Sequence, residues 1–134
     1  MRLLSTDSEF AAVLSADRAI LFVDSEWSVQ SRLSAAVIEE WERNSNLWGL
    51  HYTVFRVRPD DRGPVAAWML DHAEQLAGEG GYGSLIWIRS GAIIDYEPYV
   101  LGAGLREISR RTQAAFQKEH PKAPSALWDR ELDG

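Results

Sequence analysis

The sequence predicts an α/β domain: a central mixed β-sheet of four to five strands, flanked by helices on both faces. Three observations predict it. Short apolar runs such as "RAILFVD" (18–24) alternate with segments of helical period. The first strand–helix–strand unit needs a crossover connection, which sets its two strands parallel. The last two runs are separated only by Arg89-Ser90-Gly91, a hairpin signal that sets them antiparallel. Helices connecting the strands of such a sheet cover both of its faces.

Each element follows in order. Arg2–Leu4 is a candidate short strand. "STDSEFAAVLSAD" (5–17) is a helix that Ser5 or Asp7 can cap, with Glu9 completing a capping box and Phe10, Val13 and Leu14 at helical spacing. "RAILFVD" carries Ile20, Phe22 and Val23 and is too short for a typical helix, so it is a strand buried on both faces. "WSVQSRLSAAVIEEWERN" (27–44) is a long helix. Its expected buried stripe is Val29, Leu33, Val37 and Trp41, widened by Ala36 and Ile38, with Glu39, Glu40 and Glu42 facing water. "LHYTVFRVR" (50–58) alternates and contains β-branched residues, as a strand does, and Pro59 ends it. "GPVAAWMLDHAEQLAG" (63–78) opens on proline and closes on glycine, which is helix punctuation, with Val65, Trp68, Met69, His72, Ala73 and Leu76 on one face. "SLIWIRSGAIIDYEPY" (84–99) is the hairpin, and "LREISRRTQAAFQKE" (105–119) a last helix with Leu105, Ile108, Ala115 and Phe116 inward. A tail, 120–134, holds two prolines and mixed charge, with Leu127 and Trp128 able to dock. Residues 1–119 are thus one domain and 120–134 an extension, partly ordered or docked.

Composition narrows the function. The 134 residues are 46% apolar and 25% charged, ordinary for a globular domain. A net charge of −6 is unlike a basic nucleic-acid footprint. No run reaches the roughly 18 apolar residues of a membrane span, and the start "MRLLSTDSEF" has no long apolar core of a signal peptide. Cytoplasmic location, with neither nucleic acid nor membrane as partner, is the expectation. There is no cysteine. Disulfides, thiolate metal ligands and thiol nucleophiles are therefore excluded.

The order of elements, with these local strings, resembles thioredoxin over roughly residues 1–118. "AILFVDSEWSVQSR" is similar to that family's second strand, its Glu-Trp pair and the Cys-x-x-Cys opening of the next helix. Ser28 and Ser31 fall on the cysteine positions and Arg32 on the basic residue that follows. "YTVFRVRPDD" resembles the central strand and its acidic turn, "GSLIWIRSGAIID" the hairpin, and "VLGAGLREI" the turn into the last helix. The resemblance implies a thioredoxin-like fold. Three departures bear on activity. Both sulfurs are missing, and thiol–disulfide exchange needs a thiolate attacking sulfur. Phe22 stands where the family buries an aspartate that assists proton transfer. Gly83 stands at the place of the family's cis-proline, and a cis bond before a non-proline costs about 2.5–4 kcal/mol, so a trans, differently shaped loop is expected. Residues 60–82 are also longer than usual in the family.

Other motifs weigh less. A nucleophilic Ser28 or Ser31 needs a histidine base, an orienting acid and an oxyanion hole, and His51, His72 and His120 lie in other elements. Helix capping is the simpler role for the serines. "GEGGYG" (78–83) spells a dinucleotide fingerprint but follows a helix and precedes a strand, the wrong order for it. "DHAE" (71–74) has the His-x-Glu of zinc deaminases without their cysteines. No cofactor and no metal are expected. Of the six tryptophans, Trp41, Trp68 and Trp87 fall on core stripes, while Trp48 is ambiguous. The resemblance implies that Trp27 lines a peptide-binding groove, together with Ser28, Ser31, Tyr82, Gly83 and Ser84.

The function expected is a redox-inactive thioredoxin-like protein that binds a protein or peptide noncovalently, as an assembly factor or chaperone-like subunit. The alternatives are a small-molecule transferase or hydrolase reusing the same cleft, and a structural homo-oligomer subunit. Glutathione transferases share this fold, some with a catalytic serine, but append a helical domain that a 15-residue tail does not supply.

Overall fold

The computed structural model describes residues 1–25, 28–47, 52–58, 63–72, 74–76 and 83–116. Among them, β1 (Arg2–Leu3) leads to α1 (Asp7–Ser15), β2 (Arg18–Val23), α2 (Val29–Leu47), β3 (Val54–Val57) and α3 (Pro64–Asp71). The hairpin β4 (Ser84–Arg89) and β5 (Ala92–Glu97) and then α4 (Val100–Phe116) follow. The strands form one sheet in the order β1-β3-β2-β4-β5. β1, β3 and β2 run parallel, β4 pairs with β2 antiparallel, and β5 pairs with β4 antiparallel. This is the mixed sheet that the sequence predicts.

Strand alternation splits the core in two. Ile20, Phe22, Val54, Leu85 and Trp87 face Ile38 and Trp41 of α2 and Ile108 and Phe116 of α4. Leu21, Val23, Ile86 and Ile88 face Phe10 and Val13 of α1 and the partly buried Val65, Trp68 and Met69 of α3. β2 is apolar and buried from Ala19 to Val23 because helices cover both of its faces. Two indoles can be fully buried because each N–H finds an acceptor. Trp41 donates to Ser109 Oγ at 2.7 Å and Trp87 to Thr112 Oγ1 at 2.9 Å.

The punctuation sets the turns. Ser90 and Gly91 both have positive φ (51° and 84°), as a two-residue hairpin turn of right-handed strands requires. The pairing then slips: Trp87 opposes Asp95 but Ile88 opposes Ile93, leaving Ile94 bulged from β5 and 43% exposed. Arg111 of α4 bonds Asp95 and Glu97, donates to the Tyr96 carbonyl and lies 5.1 Å from the Trp87 ring centre.

Several expectations are corrected. α1 is capped by Thr6, which accepts from Glu9 N–H at 3.2 Å, rather than by Ser5 or Asp7. Glu9 is three residues beyond Thr6, and its carboxylate closes the box on Ser5 N–H. The buried stripe of α2 is not Val29–Leu33–Val37–Trp41. Val29 and Leu33 are 60% and 54% exposed and Ala36 is exposed, whereas Ser31, Ser34, Ala35, Ile38, Trp41 and Ser45 are buried. Glu42 is half-buried, with one oxygen accepting Val54 N–H at 2.7 Å. β3 is four residues long rather than nine, α3 stops at Asp71, and α4 begins at Val100, kinked at Gly104. Trp68 is half-buried, packed edge-on against Phe10. Trp48 and the tail 120–134 lie outside the described residues.

Candidate functional site

The parallel strands deliver α1, α2 and α3 to one end of the sheet, where Asp24 leaves β2 and Arg58 leaves β3. Ser28 is the first residue of interest beyond them. Its hydroxyl accepts Ser31 N–H at 3.2 Å and its carbonyl accepts Arg32 N–H at 3.2 Å, which makes it the N-cap of α2. The capping role expected of the serines is thus Ser28's. Ser28→Ala is expected to lower stability by about 1 kcal/mol, measured as a shift of the urea midpoint at unchanged slope. Ser28→Asp should restore it.

Ser31 does something else. Its hydroxyl donates to Asp24 Oδ1 at 2.6 Å and accepts Ser25 N–H at 3.0 Å, and it is fully buried. Asp24 Oδ2 accepts from Arg58 Nε at 3.0 Å and lies 3.2 Å from Arg56 Nε, whose guanidinium also faces Glu39 at 3.9 Å. Burial pushes the Asp24 carboxyl up, but the Ser31 hydroxyl, Arg58 and Arg56 outweigh it and hold its pKa below the ordinary value. Asp24 is therefore an anion and a weak base near neutrality, unsuited to draw a proton from Ser31. Ser31 thus has neither solvent access nor a competent base.

Sequence reasoning missed this carboxylate. Phe22 is in the apolar core, as its place in the strand implies, but Asp24, two residues on, points to the same side of the sheet and supplies the charge next to Ser31. The available signal was the pair Arg56 and Arg58, also two apart, one in the neighbouring strand and one just past its end.

Gly83 lies over the first turns of α2. Its φ is +86°, and a Cβ there would sit 2.7 Å from Ser34 Oγ. Its N–H donates to Val23 O at 2.7 Å, and its carbonyl accepts Val100 N–H at 3.3 Å. No peptide bond among the described residues is cis. Gly83 and Ser84 are buried, Ser84 as the partner of Val23 in the β2–β4 ladder. Of the six groove residues expected, Ser28 alone among those described is half-exposed; Ser31, Gly83 and Ser84 lie beneath the surface. Trp27 and Tyr82 lie outside the described residues, as do His51, His120 and the glycines of 78–81. Ser25 Oγ and Ser34 Oγ are buried with no partner. His72 points back along its helix: Nδ1–H donates to Trp68 O at 2.8 Å, with the rings 4.6 Å apart. Among the described residues, no helix is long and apolar enough to cross a membrane.

A five-stranded mixed sheet with α1 and α3 on one face and α2 and α4 on the other, and a serine-capped helix after the second strand, is a thioredoxin-like fold, here in a chain with no cysteine. Thiol–disulfide oxidoreductase chemistry is ruled out by that absence. Among solved structures, the chain is similar to oxidised thioredoxin from Plasmodium falciparum, at 15% identity, TM-score 0.58, covering 84% of this chain and 97% of that one. It is similar to thioredoxin O2 from Arabidopsis thaliana at 20% identity, TM-score 0.55, covering 82% and 91%. Fasciola hepatica thioredoxin gives 15%, 0.52, 84% and 95%. At these identities the likeness establishes the fold. No family profile matches the chain, and no curated protein does.

Proposed function

We propose that this chain is a redox-inactive thioredoxin-like protein that holds a protein or peptide partner noncovalently, as an assembly factor or chaperone-like subunit does. In this reading Ser28 and Ser31 stand where thioredoxins carry their cysteines, and the partner is met at the amino end of α2. The observation that carries the proposal is the exposure of Val29 (60%) and Leu33 (54%), one turn apart on the outer face of α2 directly after the Ser28 cap. Covering a large aliphatic side chain is worth about 1.5–3 kcal/mol, so a partner laid along this ridge gains affinity without a covalent bond. Trp27 and Tyr82, which the resemblance adds to the groove, lie outside the described residues. The buried Ser31, Gly83 and Ser84 shape it from below, and strand addition does not run through Gly83, because both of its backbone groups are engaged.

A photo-crosslinking residue at position 29 tests the proposal, with Leu70, 77% exposed on α3, as the control position. Discrete adducts are expected from position 29 and not from position 70. Leu33→Glu should reduce the adducts by about tenfold, equivalent to about 1.4 kcal/mol, without shifting the unfolding midpoint. Equal adducts at both positions, or adducts insensitive to Leu33→Glu, would exclude this face.

A further inference from the structure

The outer face of α2 carries more than two aliphatic side chains. Ser34, Ile38, Trp41 and Ser45 are buried and mark the side of the helix turned to the core. At about 3.6 residues per turn, the opposite line is Val29, Leu33, Ala36, Glu40 and Arg43, spaced four, three, four and three residues apart. All five are exposed. Arg32 and Glu39 flank this line on one side and are exposed too. Among the described residues, Arg32, Glu40 and Arg43 have no ion-pair partner, and Glu39 reaches Arg56 at 3.9 Å.

The pattern is complementary to itself in one direction. Turned end for end about Ala36, it sets position 32 against 40, 29 against 43 and 33 against 39. Arg32 then faces Glu40 of a second copy, with Glu39 on the same flank. A twofold axis makes every such pairing twice. The hydrocarbon stem of Arg43 covers Val29, and that of Glu39 lies along Leu33. Ala36 meets its own counterpart at the crossing, where a small side chain lets two helices approach to the near end of the usual spacing of about 8–10 Å. A parallel pair in register would instead set Arg32 on Arg32 and Glu40 on Glu40, and like charges across an interface repel. On the reading that Val29 and Leu33 seat a partner, we infer that this partner is a second copy of the chain, bound through an antiparallel α2–α2 contact centred on Ala36. The apolar amino half of each α2 is covered by the charged carboxyl half of the other.

Light scattering of the full-length chain on size exclusion, over a range of concentrations at low salt, reads this contact. The mass is expected to rise toward twice that of the chain. Arg32→Glu and Glu40→Arg should each raise the dimer dissociation constant by about tenfold or more, because each sets like charges at both pairings, and each should keep the urea midpoint of the parent. Mixed in equal amounts, the two variants should recover the dimer, since each then meets the opposite charge on the other. A chain that keeps its single mass at every concentration would overturn the inference. So would a dimer indifferent to both variants, or a mixture of two folded variants that does not recover. Photo-crosslinks from position 29 separate this inference from the reading beneath it. Adducts at Arg43 of another copy support both. Adducts with other proteins alone would overturn the second copy and keep the ridge as a partner's seat, and adducts insensitive to Leu33→Glu would overturn both.

Discussion

Gly83→Ala is expected to destabilise the fold by about 2–4 kcal/mol. Two costs combine. A φ of +86° is strained for an L side chain, and the new Cβ would lie 2.7 Å from Ser34 Oγ and 3.2 Å from Ser34 Cβ. Gly83 cannot simply retreat, since its N–H holds Val23 and its carbonyl holds Val100. Urea unfolding of the single and double variants separates the costs. Ser34→Ala alone should be neutral or slightly stabilising, because it removes a buried hydroxyl that has no partner. In the Gly83→Ala background it should recover the part due to the oxygen contact and leave the backbone part. A double variant as unstable as Gly83→Ala would show that the contact with Ser34 is not what makes glycine necessary.

The second large effect belongs to Asp24. Asp24→Ala leaves the buried Ser31 hydroxyl without its acceptor and removes the shared anion from Arg56 and Arg58. Breaking a buried pair costs about 3–5 kcal/mol. Here about 2–3 kcal/mol is expected, because the arginine side chains are 23% and 31% exposed and regain water. The pH dependence follows from the direction of the shifts. The pKa of Asp24 is lowered, with burial opposed by Ser31, Arg58 and Arg56; that of Asp95 is lowered chiefly by its bond to Arg111. A carboxylate with a folded pKa below its unfolded one stabilises the protein above the unfolded value, about 3.9 for aspartate. That stabilisation is lost as pH falls through the folded value. Stability should therefore fall below about pH 4, and Asp24→Asn should flatten part of that decline while lowering the plateau at neutral pH. An unchanged acid arm in Asp24→Asn would mean that the carboxylate is not held as described.

Much of the fold was legible in the sequence because its signals are local. The run Ile20–Val23, the turn at Ser90-Gly91 and Pro64 at a helix start each specify their element without help from the rest of the chain. What was hidden depends on long-range packing. Hydropathy turns α2 so that Val29 and Leu33 point inward, because serine reads as polar and therefore outward. In the folded chain Ser31 and Ser34 are the buried residues, since Asp24 and Gly83 are what that end of the helix packs against. The same blindness concealed Asp24, a charged residue at a strand end whose partners lie on another strand. It also concealed the apolar ridge on which the proposed function rests, because exposure is a property of the assembled layers and not of helical spacing by itself.

The bulge at Ile94 and the reach of Arg111 to the Tyr96 carbonyl have a consequence for growth between molecules. A flat, open border strand is a template on which further chains can add and build fibrils. Here the border twists at the bulge, and an arginine occupies one of its outward carbonyls. Concentrated solutions should therefore resist cross-β polymerisation from this side of the sheet.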